Sequence, residues 1–412
     1  MEGTLSYHFY HKKRVDRNIP VMRRHACFRT ILDCIVLGVL LILVHQPVKA
    51  LSPANASGSI DDAVAKLVQF CIEPKTSLDE QAVATLVDYV LSLKSSKEFS
   101  LPKSRECTGA YYEFDTKITF PRFMDYSYSS VVPSVITRPS SMRYSLWSNH
   151  RGETQPLPAS WKPVPPAGTP VVIHGLQREA DTPDLNTGVY HEYNLKRTLI
   201  LVNHKGRQAL VSISKQISTS DVGKKGVILG NDNDWTYYYS SEPGTPKTGI
   251  GWVKSYIYDY FSIGVYVESS ATVVKTGVFQ WLRAGWSGIN FVRPNHILGG
   301  MKRFAHNSKT VLESPRLPSP GQIVSVYQWL SNVPLSELRK EYAALQQALR
   351  SSAIRTGKIS KSASDKQISF VNIPKEQIVE ELMLEYIKMS LGKPTLVGQL
   401  LRQIRSSRHP LY

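Results

Sequence analysis

Apolar residues at Ile60, Ala63, Val64, Leu67, Val68 and Cys71 recur at spacings of three and four, which predicts a helix with one buried face. Ser77 and Glu80 then form an S-x-x-E capping box ahead of Val83, Leu86, Val87, Val90 and Leu91, a second stripe of the same period. Together they predict a helical hairpin. Periodicity is lost from 128 to 170, where eight prolines fall between Pro133 and Pro170, so an extended arm is expected, with Trp147 and Trp161 resting on a surface.

From Val171 the period shortens to two, and β-branched and aromatic residues dominate. TLILVNHKGRQALVSISKQ reads as two strands joined around Lys205 and Gly206, and VYVESSATVV as a hairpin around Ser269 and Ser270. Seven or eight strands are expected in all. In SYIYDYFSIGVYVES, alternation puts Ile257, Asp259, Phe261, Ile263, Val265 and Val267 on one face and Tyr256, Tyr258, Tyr260 and Tyr266 on the other. Val278, Trp281, Leu282, Trp286 and Ile289 are spaced like a buried helix stripe. Beyond Ser314 the helical period returns: Leu335, Leu338, Tyr342, Leu345 and Leu349 form a 3-4-3-4 seam, and Pro374 opens a helix with Ile378, Val379, Leu382, Tyr386 and Ile387 inward, ended by Gly392.

The fold class implied is α+β: an antiparallel β-sandwich or partly open barrel, flanked by an N-terminal helical hairpin and a C-terminal helical region. The expected boundaries are an export signal at 1–50, the hairpin at 51–110, a Pro/Ser-rich arm at 111–170, a β-rich domain at 171–313 and a basic helical region at 314–412.

The export signal rests on the ten apolar residues from Ile35 to Val44, about 15 Å of helix and half of what a membrane span needs. The stretch from Met22 has the proportions of a bacterial signal, which makes Met22 the expected start, with cleavage after Ala50 or Ala56. The alternative is an uncleaved anchor over residues 31–46; either way the body of the chain is exported, to the periplasm or envelope. In an oxidising compartment the two remaining thiols, Cys71 and Cys107, are expected to pair as a disulfide.

Net charge is +17, and residues 301–412 carry +9 of it. Outside the cytoplasm such a surplus points to anionic lipid, lipopolysaccharide or cell-wall glycan as partner, and argues against nucleic acid. Aromatics such as Tyr258 and Trp252 would supply contact area, and Lys302, Arg303, Arg402 and Arg405 charge; the Leu335 to Leu349 seam offers a route to self-association.

Catalytic motifs are wanting. Asp259, alone among apolar neighbours, together with His174 and His191, is the weak candidate for an acid and base. GNDNDW reads as a turn rather than a calcium loop, Ser287 lacks the G-x-S-x-G setting, and the histidines have no metal-ligand spacing, so no metal and no cofactor are expected. The function read from sequence is non-catalytic binding of an anionic or glycan envelope component, with a periplasmic hydrolase as the rival.

Overall fold

The computed structural model describes residues 57–129, 131–148, 162–247, 249, 251–360 and 372–396. All belong to the second of two compact units, Ser52–Tyr412. The apolar segment at 31–46, Met22, both cleavage sites, Trp161, Arg402 and Arg405 lie outside the described residues.

The chain opens with α1 (Ser57–Ile72) and α2 (Glu80–Leu91), the expected hairpin. Its stripes are the buried ones: Leu67, Leu86, Val87 and Val90 are wholly enclosed. The cap differs from expectation. Asp79, not Ser77, is the N-cap, its carboxylate accepting from Ala82 N at 2.9 Å.

Sheet structure starts earlier than the sequence suggests, with β1 (Glu98–Ser104) and β2 (Cys107–Thr116), followed by α3 (Phe120–Ser127) and a single 3₁₀ turn at Ser134–Ile136. What reads as an arm also contributes β3 (Met142–Ser148), whose Trp147 is buried over Gly175. Then come β4 (Val171–Asp181), β5 (Val189–Tyr190), β6 (Glu192–His204), β7 (Arg207–Gln216), β8 (Lys224–Ile228), β9 (Tyr237–Pro243), β10 (Thr245–Lys247), β11 (Gly251–Val253), β12 (Tyr256–Ser270) and β13 (Val273–Gly285). Four helices follow: α4 (Pro294–Leu312), α5 (Pro320–Asn332), α6 (Leu335–Arg355) and α7 (Lys375–Ser390).

Eight strands form one antiparallel sheet in the order β1-β2-β13-β12-β7-β6-β4-β3, with β5-β8-β9 and β10-β11 as small accessory sheets. The α+β class therefore holds, with helices on both faces of a single open sheet. The β6–β7 turn falls at Lys205 and Gly206, both at positive φ (53° and 80°), as a tight hairpin requires.

Alternation gives each strand two faces. One face, carrying Ile200, Val211, Ile213, Ile263, Val265 and Phe279, packs on α1 and α2. The other meets a second core in which Leu199, Leu201 and Leu210 join α3 and α5–α7. β12 distributes its side chains as alternation predicts, Phe261, Ile263, Val265 and Val267 toward the hairpin and Tyr266 away from it.

Three expectations need correction here. Val278 to Ile289 is not a helix: Trp281 and Phe279 face the hairpin, Val278 and Leu282 face α4, and Trp286 and Ile289 lie beyond the end of β13. The 335–349 seam is filled within the chain, because Leu338 and Tyr342 are fully buried and Tyr342 donates to Glu381 of α7 at 2.9 Å. Cys71 and Cys107 are both buried and both free; the expected disulfide is not formed.

Candidate functional site

In the middle of the sheet the face turned away from the hairpin stops being apolar. Cross-strand register sets Arg197 of β6 beside Ser214 of β7, Ser214 beside Ser262 of β12, and Ser262 beside Gln280 of β13, a polar row four strands wide. The neighbouring row runs Leu199, Ser212, Gly264 and Val278. Small hydroxyls and a glycine leave room that Val or Ile would fill. Two cavities of about 310 and 330 Å³ occupy it.

The first cavity lies under α4, which contributes Gly300, Met301, Arg303 and Phe304. The second lies under α5 and α7, where Tyr327, Ser331 and Glu380 meet Trp147 and Leu146 of β3. Arg138 and Arg197 line both, so the guanidiniums stand where the two meet. Arg197 Nη1 donates to Ser214 Oγ at 2.6 Å. Arg138, on the segment between the 3₁₀ turn and β3, donates from Nη2 to Tyr128 OH at 3.3 Å. Among the described residues, neither guanidinium has a carboxylate within ion-pair distance.

Other cations in the region are already matched. Arg303 holds Asp232 through both Nε (2.7 Å) and Nη2 (2.5 Å), and Arg143 pairs with Glu381 at 2.9 Å. Carboxyls line the cavities too: Glu179, Asp181 and Asp184 the first, Glu376 and Glu380 the second. Burial pushes Glu380 up to about 8, with Glu179 and Glu381 adding to the shift and the Ser145 N–H opposing it. Burial likewise holds Asp181 well above the usual carboxylate range. Glu179 accepts from Ser145 Oγ at 3.4 Å.

Four polar atoms on residues that line these cavities, each residue more than nine-tenths buried, have no hydrogen-bond partner: Ser212 Oγ, Gln177 Oε1, Trp147 Nε1 and Ser127 Oγ. Native interiors leave few such atoms, and a cavity where they converge is a place for water or ligand.

Of the residues chosen from sequence, Arg303 lines the first cavity, whereas Asp259, His174 and His191 line neither. Asp259 is on the hairpin side, ion-paired with Lys215. His174 bonds Thr198 Oγ1 at 2.8 Å and sets its ring edge-on to Phe70. His191 is half-buried just ahead of β6, its Nε2 without a hydrogen-bond partner, and desolvation pushes its pKa down to about 4. Among the described residues no hydrogen bond joins any two of the three.

Trp252 is 54% exposed on the β10–β11 ribbon, donating to Pro243 O at 3.0 Å. Tyr258 accepts from Gly288 N at 2.8 Å and carries the Arg283 guanidinium 5.4 Å from its ring centre. Both line neither cavity. Lys302 pairs with Glu98 at 2.7 Å and Arg303 with Asp232, so neither is a spare charge. GNDNDW is a turn as expected, and among the described residues no cluster of metal-ligating side chains occurs.

What sequence reasoning missed are Arg138 and Arg197. The signal was the alternate positions of VSISK and YFSIG, where Ser212, Ser214, Ser262 and Gly264 interrupt otherwise apolar strands on one face.

No helix among the described residues is long and apolar enough to cross a membrane. No family model matches the chain, and no curated protein matches it. Among solved structures it is similar to the human StarD13 (DLC2) lipid transfer and protein localization domain, at 10% identity and a TM-score of 0.24, over 57% of this chain and 98% of that one.

Proposed function

We propose that this chain is a non-catalytic binding protein of the bacterial envelope whose paired cavities hold an anionic, hydroxyl-bearing ligand such as an acidic glycan unit or a sugar phosphate. One observation carries the reading: two enclosed guanidiniums without carboxylate partners face a shared space. An unmatched charge in a protein interior is unfavourable, and an anion accepting from both removes that penalty. Arg is suited to it, since its planar donors meet carboxylate or phosphate oxygens in pairs. The unpartnered Ser212, Gln177 and Trp147 atoms supply donors and acceptors for hydroxyls around that anion. Export remains part of the proposal and rests on the apolar run at Ile35 to Val44. The rival, a hydrolase, is less well supported, because Asp259 and His174 are engaged with separate partners and, among the described residues, no hydrogen bond joins either of them to His191.

Calorimetric titration with glucose 1-phosphate, glucuronate and neutral glucose tests this. The acidic sugars should bind more tightly than glucose, and Arg138→Met or Arg197→Met should weaken them by roughly tenfold or more, the worth of a hydrogen bond to a charged group. Equal binding of all three sugars, or arginine variants indistinguishable from the parent, would refute the reading. Turnover of either acidic sugar would transfer support to the hydrolase.

A further inference from the structure

Between β13 and α4 the chain makes a short excursion, Trp286 to Arg293, that exposes apolar side chains. Ile289 is 54% and Phe291 41% exposed, and the half-buried Trp286 ring stacks on Phe291 with centroids 3.9 Å apart. Scattered apolar residues on a surface need no explanation. Three within six residues, on a loop held rigid from both sides, do.

The bracing is extensive. Ile289 N donates to Trp286 O at 3.0 Å and Phe291 N to Ala284 O at 2.9 Å, so the loop closes on itself and on the end of β13. Tyr258 OH accepts from Gly288 N, and Arg283 Nη2 donates to Gly288 O at 3.2 Å. Asn290 accepts from Val292 N at 3.0 Å and donates to Glu106 O at 3.3 Å, which ties the loop to the β1–β2 turn. Ser287 and Gly288, at φ 52° and 76°, make the bend that turns Ile289 outward. Bonds of this kind keep an apolar tip in solvent when collapse would otherwise hide it.

Charge around the tip is one-sided. The tied turn carries Arg105, with Lys103 just before it; Arg283 lies beneath the loop, and exposed Arg293 leaves it for α4. Glu106 is the acid among them, and it pairs with Arg283 at 2.8 Å. An aromatic and aliphatic point inside a basic collar matches the boundary of an anionic bilayer, where rings sit among headgroups and each nearby Lys or Arg adds attraction.

We propose that Trp286, Ile289 and Phe291 form a docking point for an anionic membrane surface, with Arg105 and Arg293 on its headgroups. The loop runs directly into α4, whose Met301 and Phe304 cover one of the cavities, so docking would set that cover against the bilayer.

The test uses the purified full chain and vesicles of phosphatidylcholine with or without phosphatidylglycerol, read by co-sedimentation and by quenching of tryptophan fluorescence with brominated lipid. The parent should bind the phosphatidylglycerol vesicles, less so as salt is raised. Ile289→Asp with Phe291→Asp should lower partitioning by tenfold or more, and Arg105→Glu by about fivefold. Ile289→Ser guards against misfolding, since it removes only an exposed side chain; it should weaken binding severalfold with an unchanged melting curve. Trp286→Phe should abolish most of the quenching. No binding by the parent, full binding by the Ile289 variants, or loss of binding only when Arg402 and Arg405 are replaced would each overturn the proposal. Arg197→Met should bind vesicles like the parent, which separates this surface from the cavity reading.

Discussion

On β12, Phe261, Ile263, Val265 and Val267 point at the helical hairpin, while Tyr260, Ser262, Gly264 and Tyr266 point at the cavities. The hairpin side is filled: Phe261 stacks on Trp281 at 4.9 Å, Phe279 leans on Tyr111 at 4.7 Å, and carboxylates at its margins are ion-paired. Glu113 meets Lys94 at 2.7 Å and Lys275 at 3.4 Å, and Asp259 meets Lys215. The cavity side has the same backbone and the same alternation, yet it keeps open volume, orphaned hydroxyls and two guanidiniums with no carboxylate at ion-pair distance. The first arrangement is what stability asks of a sheet. The second gives stability away and is explained by something that enters the space.

That contrast can be broken by substitution on each side. Phe279→Ala should cost about 3–5 kcal/mol in urea unfolding, the usual penalty for emptying a packed aromatic site. Ser212→Ala, one strand pair away on the opposite face, should change stability by less than about 0.5 kcal/mol or raise it slightly, because its hydroxyl bonds nothing now. A loss above about 1 kcal/mol for Ser212→Ala would mean that the second face is an ordinary core.

Replacing a cation on each face sharpens the point. Lys215→Met orphans Asp259 and should lose about 1–3 kcal/mol, whereas Arg197→Met orphans no carboxylate and should leave the protein as stable as before or up to about 1 kcal/mol more so. Chemical denaturation of the two variants side by side decides it. Equal losses would imply that Arg197 has a structural counter-charge.

How much of this was legible in the sequence follows the same division. Both hairpin helices could be read because burial on one side leaves a periodic trace, and the β12 faces because one is aliphatic and the other carries tyrosine, serine and glycine. β2 could not, since Thr108, Ala110 and Phe114 are buried on one face while Cys107, Tyr111 and Glu113 are buried on the other, and a strand covered on both sides shows no alternation. Val278, Trp281 and Leu282 satisfy a helical and a two-sided strand pattern equally well, and only pairing with β2 and β12 settles the matter. The site was hidden for a different reason. An arginine in a sequence carries no mark of whether a carboxylate will reach it; Arg143 and Arg303 found one, Arg138 and Arg197 did not.

Titration separates the regions as well. Glu380, between the second cavity and β3, has its pKa raised by burial to about 8 from an ordinary 4.5, so the folded state holds a proton that the unfolded state releases. Its contribution is present below pH 4.5 and is lost as pH climbs toward 8, with a slope of at most about 1.4 kcal/mol per pH unit. Asp181, also raised by burial, acts in the same direction. His191 opposes them over a lower range: burial holds its folded pKa near 4 against 6.5, so its contribution is present above 6.5 and lost as pH falls. With two contributions falling and one rising, melting temperature should decline gently between pH 4.5 and 6.5 and more steeply from 6.5 to 8. Glu380→Gln should reduce the decline above 6.5; an unaltered profile would show that this carboxyl is solvated.

The smallest effect should come from the thiols on the hairpin side. Cys71 Sγ lies 3.9 Å from Ile213 O and Cys107 Sγ 3.9 Å from Asp259 O. Ile213 stands opposite Ile263, four residues along β12 from Asp259, so the two sulfurs attach to points about 13 Å apart along a strand. A disulfide needs Cα atoms within about 7 Å, and the sheet would have to slide to provide that. Burial also raises both thiol pKa values, Cys107 to about 12, which removes the reactive thiolate. A reductant should thus leave the melting temperature unchanged, and a thiol reagent should detect Cys71 and Cys107 only in denaturant. A drop of several degrees on reduction, the signature of a broken cross-link, would show that the hairpin docks on the sheet in another register.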